Sequence, residues 1–265
     1  MHAAPGLSAE KVALVIPAYN EASSVREVAV QALAVHPWVI VVDDGSTDNT
    51  AQCVAGLALT LLRQPHNQGK AAALWRGMDH ALQLGAAAVI TMDADGQHRA
   101  VDLPRLLAAW HAHPDHIVIG TRLHDRSQFP LKRYLANRFA NFWVAWAAGF
   151  PIDDSQSGFR VYPAHLLRAY RDTRRQAAGF VFESEILIEA GRCGGTSIAI
   201  PIPAIYGAEK RRSHFRPVVD ILRITRMVAW KLLQRGLYPQ GLLRSLRRPA
   251  DAKKTAEQAP PIDPL

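Results

Sequence analysis

Two aspartates one residue apart, Asp93 and Asp95, are the side chains here with the most pointed chemistry. They lie in Ala88–His98, AVITMDADGQH. Val89–Met92 is a short apolar run with β-branched residues, which predicts a buried strand. Alternation along an extended chain puts both carboxylates on one side. Carboxylates a few ångströms apart repel unless a cation lies between them. Hard cations such as Mg²⁺ or Mn²⁺ take oxygen ligands, commonly one or two carboxylates plus substrate phosphates. Gln97 offers a neutral oxygen on the same side. The pattern equally fits a polar strand end that turns, with an aspartate capping the next helix.

The elements that must carry this pair alternate in type. Apolar runs at Lys11–Ile16, Trp38–Val42, Leu59–Arg63, Ala88–Met92 and Ile117–Gly120 predict strands. Between them, Ala22–Leu33, Thr50–Leu57, Ala71–Leu84 and Leu103–His111 have helical spacing. Strands that are apolar throughout and alternate with helices argue for a parallel sheet covered on both faces. Such sheets bind ligands at the carboxyl ends of their strands. Here those ends read PAYNE, DDGS, NQGK, DADGQ and GTR. No G-x-G-x-x-G follows the first strand and no G-x-x-x-x-G-K-[ST] loop occurs. Dinucleotide redox chemistry and P-loop phosphoryl transfer are thereby disfavoured, and a nucleotide held by carboxylates and a metal fits better.

Composition bounds the rest. A chain of 265 residues, 49% hydrophobic, makes one large domain or a domain with an appendage. Two cysteines, Cys53 and Cys193, are too few for a disulfide framework or a zinc site, so a reducing, cytoplasmic setting is expected. Met1–Lys11 lacks the apolar region of a secretion signal. The uncharged, aromatic-rich run Phe139–Ile152 is 14 residues and suits a core helix or an interfacial segment better than a span. The formal charge of +8 is concentrated between Gly207 and Arg248, where eleven Lys and Arg face only Glu209 and Asp220. A polyanionic partner should meet the chain there. A nucleic-acid partner is not expected, because no recognised module is present and acidic strand ends repel phosphate.

PAYNE, VVDDGSTD, NxGK, DADGQH, GTR, SGFR and YGAEK, in this order, resemble the family 2 glycosyltransferases over roughly residues 11–212. Within them the sequence is similar to the polyprenyl-phosphate (dolichyl-phosphate) mannosyl- and glucosyltransferases. The resemblance implies an α/β, GT-A fold: a Rossmann-like, mostly parallel sheet with helices on both faces. It implies a nucleoside diphosphate sugar donor (GDP- or UDP-hexose), Mg²⁺ or Mn²⁺, and a polyprenyl phosphate or other lipid acceptor. By the same resemblance Pro17, Tyr19 and Glu21 contact the donor nucleotide, and Val42 and Asp44 read its base. Asp93, Ala94 and Asp95 form the D-x-D, and Asp93, Asp95 and Gln97 are the metal set. Arg122 and Lys210 face the diphosphate, and Asp95, Arg122 and Lys210 carry catalysis. An arginine expected two residues before Tyr206 is here Ala204; Arg211, Arg212 or Arg216 are the available replacements. Read on their own, Asp44 equally suits a turn before Gly45 and Arg122 a surface position after a strand.

Other residues stay open. Lys132, Arg133, Arg138 and Asn141 resemble a stretch that precedes the acceptor region in those enzymes. Arg160 can meet a phosphate or pair with Asp153 or Asp154. Glu185, on the first turn of a helix predicted over Phe182–Ala190, can bind a sugar hydroxyl or complement the helix dipole. His98 and His214 suit structural roles. A phosphate acceptor is already ionised and needs no strong base, whereas a hydroxyl acceptor needs one, with Asp154 or Glu185 as candidates. Pro217–Leu233 predicts a basic amphipathic helix for an anionic membrane surface, or a helix packed on the sheet. The expected domains are a transferase domain 1–212, a membrane-associating segment 213–248 and a disordered tail 249–265. The enzyme is then peripheral, on the cytoplasmic face of a membrane.

Overall fold

The computed structural model describes residues 11–122, 131–173, 182–203 and 217–247. In chain order these form β1 (Val12–Ala18), α1 (Val25–Val35), β2 (Val39–Asp43), α2 (Thr50–Cys53), β3 (Thr60–Arg63), α3 (Lys70–Gln83), β4 (Ala88–Thr91), α4 (Leu103–Ala112) and β5 (His116–Thr121). There follow α5 (Leu131–Ala148), β6 (Arg160–Pro163), α6 (Ala164–Thr173), α7 (Phe182–Arg192), β7 (Thr196–Pro201), α8 (Pro217–Leu233) and α9 (Pro239–Leu246).

One seven-stranded sheet runs β3-β2-β1-β4-β6-β5-β7. All pairings are parallel except those of β6, which lies antiparallel between β4 and β5. The period-2 alternation of strands sorts the core into two layers. Ala13 and Val15 of β1, with Ile40 and Val42 of β2, face the layer of α3, α5, α6, α7 and α8. Leu14, Ile16, Val39 and Val41 face α1 and α4. Burial on both sides is why these strands are apolar throughout.

The expected strands and helices of the first half are all present, with ends shifted by a few residues and α2 shorter than its predicted span. β6 is not among the expected strands: it is only four residues, RVYP, the last of them a proline. Tertiary pairing of Thr91 with Arg160, and of Ile119 with Arg160, makes it a strand. Helix α8 does not stand apart from the domain. Ile224, Val228 and Leu232, one turn apart, enter the core layer of α5 and α7. Among the described residues no helix is long and apolar enough to cross a membrane.

Candidate active site

The loops after β1 and β2 interlock. Asn20 adopts a left-handed φ of 55°. Its amide donates to Ser46 Oγ at 2.9 Å, and its Oδ1 accepts from the Thr47 amide at 2.9 Å. The Glu21 amide donates to Thr50 Oγ1 at 2.8 Å. Pro17 is buried, while Tyr19 and Glu21 are half-buried at this edge. The Val42 side chain is fully buried against α3, where a Cβ on Gly77 would lie 3.0 Å from it, so only its backbone borders the edge.

Asp44 is 2% exposed. Its Oδ1 accepts from Gln64 Nε2 at 2.6 Å and from the Gln68 amide at 2.9 Å; its Oδ2 accepts from the Gly69 amide at 2.8 Å. Three of the roughly four acceptor sites of a carboxylate are therefore occupied. Burial nonetheless pushes its carboxyl above the ordinary range, the three hydrogen bonds opposing. Asp44 thus pins the turn that leads into α3, and α3 begins with Lys70.

Lys70 is the centre of the charge arrangement. Its Nζ lies 2.8 Å from Asp93 Oδ1 and 2.9 Å from Glu183 Oε1 on α7. Burial alone would discharge the ammonium, but the two carboxylates outweigh it and hold its pKa above the usual lysine range. Burial likewise opposes the Asp93 anion, and the Lys70 ammonium overcomes it and holds Asp93 low. Gly158 covers Asp93 closely enough that a Cβ there would lie 2.7 Å from Asp93 Oδ2. Thr91 Oγ1 donates to the Gly158 carbonyl at 2.6 Å, which fixes that approach.

Asp95 has the opposite balance. β4 stops at Thr91, so the acidic pair sits on the turn beyond it, with Gly96 at φ 75°. Asp95 Oδ1 accepts the Gln97 amide at 2.9 Å. Burial and then the charge of Asp93, with Glu21 adding to it, raise its carboxyl above the usual range. Excess negative charge on hard oxygen donors fits a divalent cation. Asp95 and Gln97 would hold it, while Asp93 is ion-paired with Lys70 rather than open on all sides. Among the described residues no group of three His, Cys, Asp or Glu is arranged to hold a metal. Two protein ligands completed by substrate phosphates is the pattern Mg²⁺ commonly shows.

Arg122 follows β5 and is near enough to Asp93 to help hold it low. Its Nε lies 3.3 Å from Asp154 Oδ2, on a carboxylate that is fully buried. Asn141 of α5 holds this loop, accepting the Ser155 amide at 2.8 Å and donating to the Asp153 carbonyl at 2.6 Å. Arg160 pairs with neither Asp153 nor Asp154, and its burial turns its guanidinium to backbone carbonyls. It is fully buried and donates to the carbonyls of Ser157 at 2.7 Å, Ser155 at 2.8 Å and Glu183 at 2.7 Å. It therefore ties the loop over Asp93 to the start of α7. Glu185 pairs with Lys231 of α8 at 3.1 Å, and Tyr170 Oη donates to it at 3.4 Å. His98 is buried against Phe159, and burial first of all lowers its pKa to about 4, leaving it neutral.

The edge at β1, β4 and β5 thus gathers Glu21, Asp93, Asp95 and Arg122, while Asp44 braces the turn that delivers Lys70. Ala94 is buried in the core. Lys210, Ala204, Arg211, Arg212, His214 and Arg216 lie outside the described residues. Sequence reasoning passes over Lys70 and Glu183. The available signal was a lysine directly after a glycine, at a helix start beside an acidic strand end. A separate crevice of about 270 Å³ between α5, α7, β7 and α9 is lined by Tyr238, Arg244 and Arg247 and contains no carboxylate side chain.

A family model described as "Glycosyl transferase family 2" matches residues 13–170. The UDP-N-acetylglucosamine–dolichyl-phosphate N-acetylglucosaminyltransferase of Methanococcus voltae is 30% identical over 215 residues, covering 73% of this chain and 85% of that protein. The polyprenol monophosphomannose synthase of Mycolicibacterium smegmatis is 28% identical over 204 residues, covering 73% and 77%. Among solved structures, glucosyl-3-phosphoglycerate synthase from Mycobacterium tuberculosis, in complex with Mn²⁺, UDP and glucosyl-3-phosphoglycerate, aligns with a TM-score of 0.57. That alignment has 20% identity and covers 89% of this chain and 86% of that one. At that identity the likeness concerns the fold, which is GT-A.

Proposed function

The chain belongs to glycosyl transferase family 2, and from that premise we propose that it transfers a hexose from a nucleoside diphosphate sugar to a polyprenyl phosphate, with inversion, at the cytoplasmic face of a membrane. Two relatives whose names specify dolichyl phosphate or polyprenol support the acceptor class. The observation that carries the chemistry is the unequal pair: Asp93 neutralised by Lys70, Asp95 left with the charge of Asp93 and Glu21 upon it. Asp95 and Gln97 would hold a divalent cation, which would supply positive charge against the departing diphosphate. The M. tuberculosis neighbour is a complex with Mn²⁺ and UDP, and Mg²⁺ serves the same donor set.

The chain's own residues do the remaining work. Lys70 removes one negative charge from the edge, so that a diphosphate meets less repulsion. Arg122, whose fork suits bidentate phosphate contact, sits beside Asp93. Lys210 is the second cation assigned to the diphosphate. The loops bearing Pro17, Tyr19, Glu21 and Asp44 receive the nucleotide, with the last acceptor site of Asp44 available to a ring N–H of guanine or uracil. The two candidate bases for a hydroxyl acceptor are both engaged, Asp154 with Arg122 and Glu185 with Lys231. A phosphate acceptor needs no base, so this favours it over the hydroxyl alternative.

The test is a donor screen with Mn²⁺ or Mg²⁺, with and without polyprenyl phosphate, reading labelled lipid. Transfer that requires the lipid phosphate and is lost in Asp95→Ala supports the reading. Donor binding without turnover under every condition points instead to a nucleotide-sugar binding protein and overturns it.

A further inference from the structure

Helix α5 has two unlike faces. Asn141, Val144, Ala145 and Ala148 are buried. On the other side Leu131, Leu135, Phe139 and Phe142, spaced four, four and three residues apart, form one exposed stripe; Phe139 is 66% exposed. Phe139 and Phe142 stand edge-on to Trp143, at 6.0 and 5.5 Å, and Trp143 stacks on Trp146 at 5.2 Å. Trp146 Nε1 donates to the Tyr238 carbonyl at 3.1 Å, which joins this row to the turn between α8 and α9. In that turn Leu237 is 54% exposed at a left-handed φ of 61°. Leucine rarely adopts that conformation, so an apolar side chain is presented to solvent at a backbone cost. Arg235 lies over the Tyr238 ring, 3.5 Å from its centroid.

The charge of these segments is one-sided. α5 has three basic and no acidic residues, and Arg223–Arg247 has six basic and none acidic, of which Lys231 is paired inward with Glu185 and Glu189 of α7. A second copy of the chain would set cations against cations. An acidic peptide would match the charge but leave the apolar stripe in water. A bilayer surface of anionic lipid offers both negative headgroups and an apolar interior within reach of Phe and Leu.

We propose that the outer stripe of α5, continued by Leu237 in the α8–α9 turn, is a docking face for an anionic lipid bilayer. The same helix holds the Asp153–Ser157 loop through Asn141, and that loop holds Arg122 through Asp154. Docking through α5 therefore seats the bilayer on the helix that braces the phosphate-facing side of the site. Its use in delivering a lipid acceptor rests on the transferase reading; the binding itself does not.

The experiment is co-sedimentation of the full chain with vesicles of phosphatidylcholine alone, or of phosphatidylcholine with phosphatidylglycerol. The phosphatidylglycerol vesicles should bind it, less so at high salt. Leu135→Asn and Phe139→Asn should each weaken binding about tenfold, with thermal unfolding unchanged because both side chains are exposed. Equal binding by these variants, no binding by the wild type, or a dimer in solution that the substitutions dissociate would overturn the proposal. The two readings fail separately. Vesicle binding without sugar transfer leaves the docking face standing and sinks the transferase. Transfer to detergent-solubilised polyprenyl phosphate without vesicle binding does the reverse.

Discussion

Lys70 Nζ lies 2.8 Å from Asp93 Oδ1, so the first carboxylate of the D-x-D has its counter-ion within the protein. Replacing Lys70 by Met removes that counter-ion and leaves Asp93 and Glu183 facing each other. Breaking a buried pair typically costs a few kcal/mol; with Lys70 and Asp93 about a quarter exposed, roughly 3 kcal/mol is expected. The freed Asp93 charge should also tighten Mn²⁺ binding about tenfold, since a neighbouring charge shifts a carboxylate by at least one pKa unit. Titration of Mn²⁺ by electron paramagnetic resonance checks this, and unchanged or weaker binding refutes it.

Gly158 approaches Asp93 too closely for any side chain. Gly158→Ala should displace the loop or the carboxylate, costing about 1–3 kcal/mol of stability. A shift of that kind beside the reacting groups should lower turnover by up to about a hundredfold. Steady-state kinetics beside thermal unfolding separates the two effects; wild-type turnover would show that the contact is slack.

Lys231 fastens α8 to α7, pairing with Glu185 at 3.1 Å and with Glu189 in a closer contact. Lys231→Met removes the cation shared by two mostly buried carboxylates, leaving Glu185 only Tyr170 and Glu189 only the half-exposed Arg192, and should cost roughly 3 kcal/mol. Adding Glu185→Gln and Glu189→Gln to Lys231→Met should restore most of that loss. Urea unfolding of the three proteins measures it, and no recovery in the triple variant would show that the pairing is not the cause.

His36 makes folding sensitive to mild acid. Its ring is 8% exposed and its Nε2 lies 2.9 Å from the Val12 carbonyl. Burial lowers its pKa below the unfolded value. Below about pH 6.5 the unfolded chain therefore binds a proton that the folded chain refuses, and stability falls as pH drops. His36→Gln keeps a donor but cannot titrate. Urea midpoints at pH 7.5 and 5.5 should fall less in the variant than in the wild type; equal slopes would remove His36 from the account.

The sequence by itself determined the alternation of apolar strands and helices, the acidic and glycine-rich strand ends, and so the edge where ligands meet the sheet. These are local signals: a period of 2 or 3.6, and turn residues at the ends of apolar runs. It also determined the family, because ordered motifs survive where overall identity is low. Tertiary structure decided how the charges pair. Lys70 meets Asp93 and Glu183 across 23 and 113 residues of chain, and no local pattern encodes such a contact. Arg160, legible in sequence only as a phosphate ligand or an ion-pair partner, became a buried tie between carbonyls because β6 inserts antiparallel between β4 and β5. The same holds for α5, whose uncharged run spells a core helix or an interfacial one; packing against α7, α8 and α9 buried one face and left Leu131, Leu135, Phe139 and Phe142 exposed on the other.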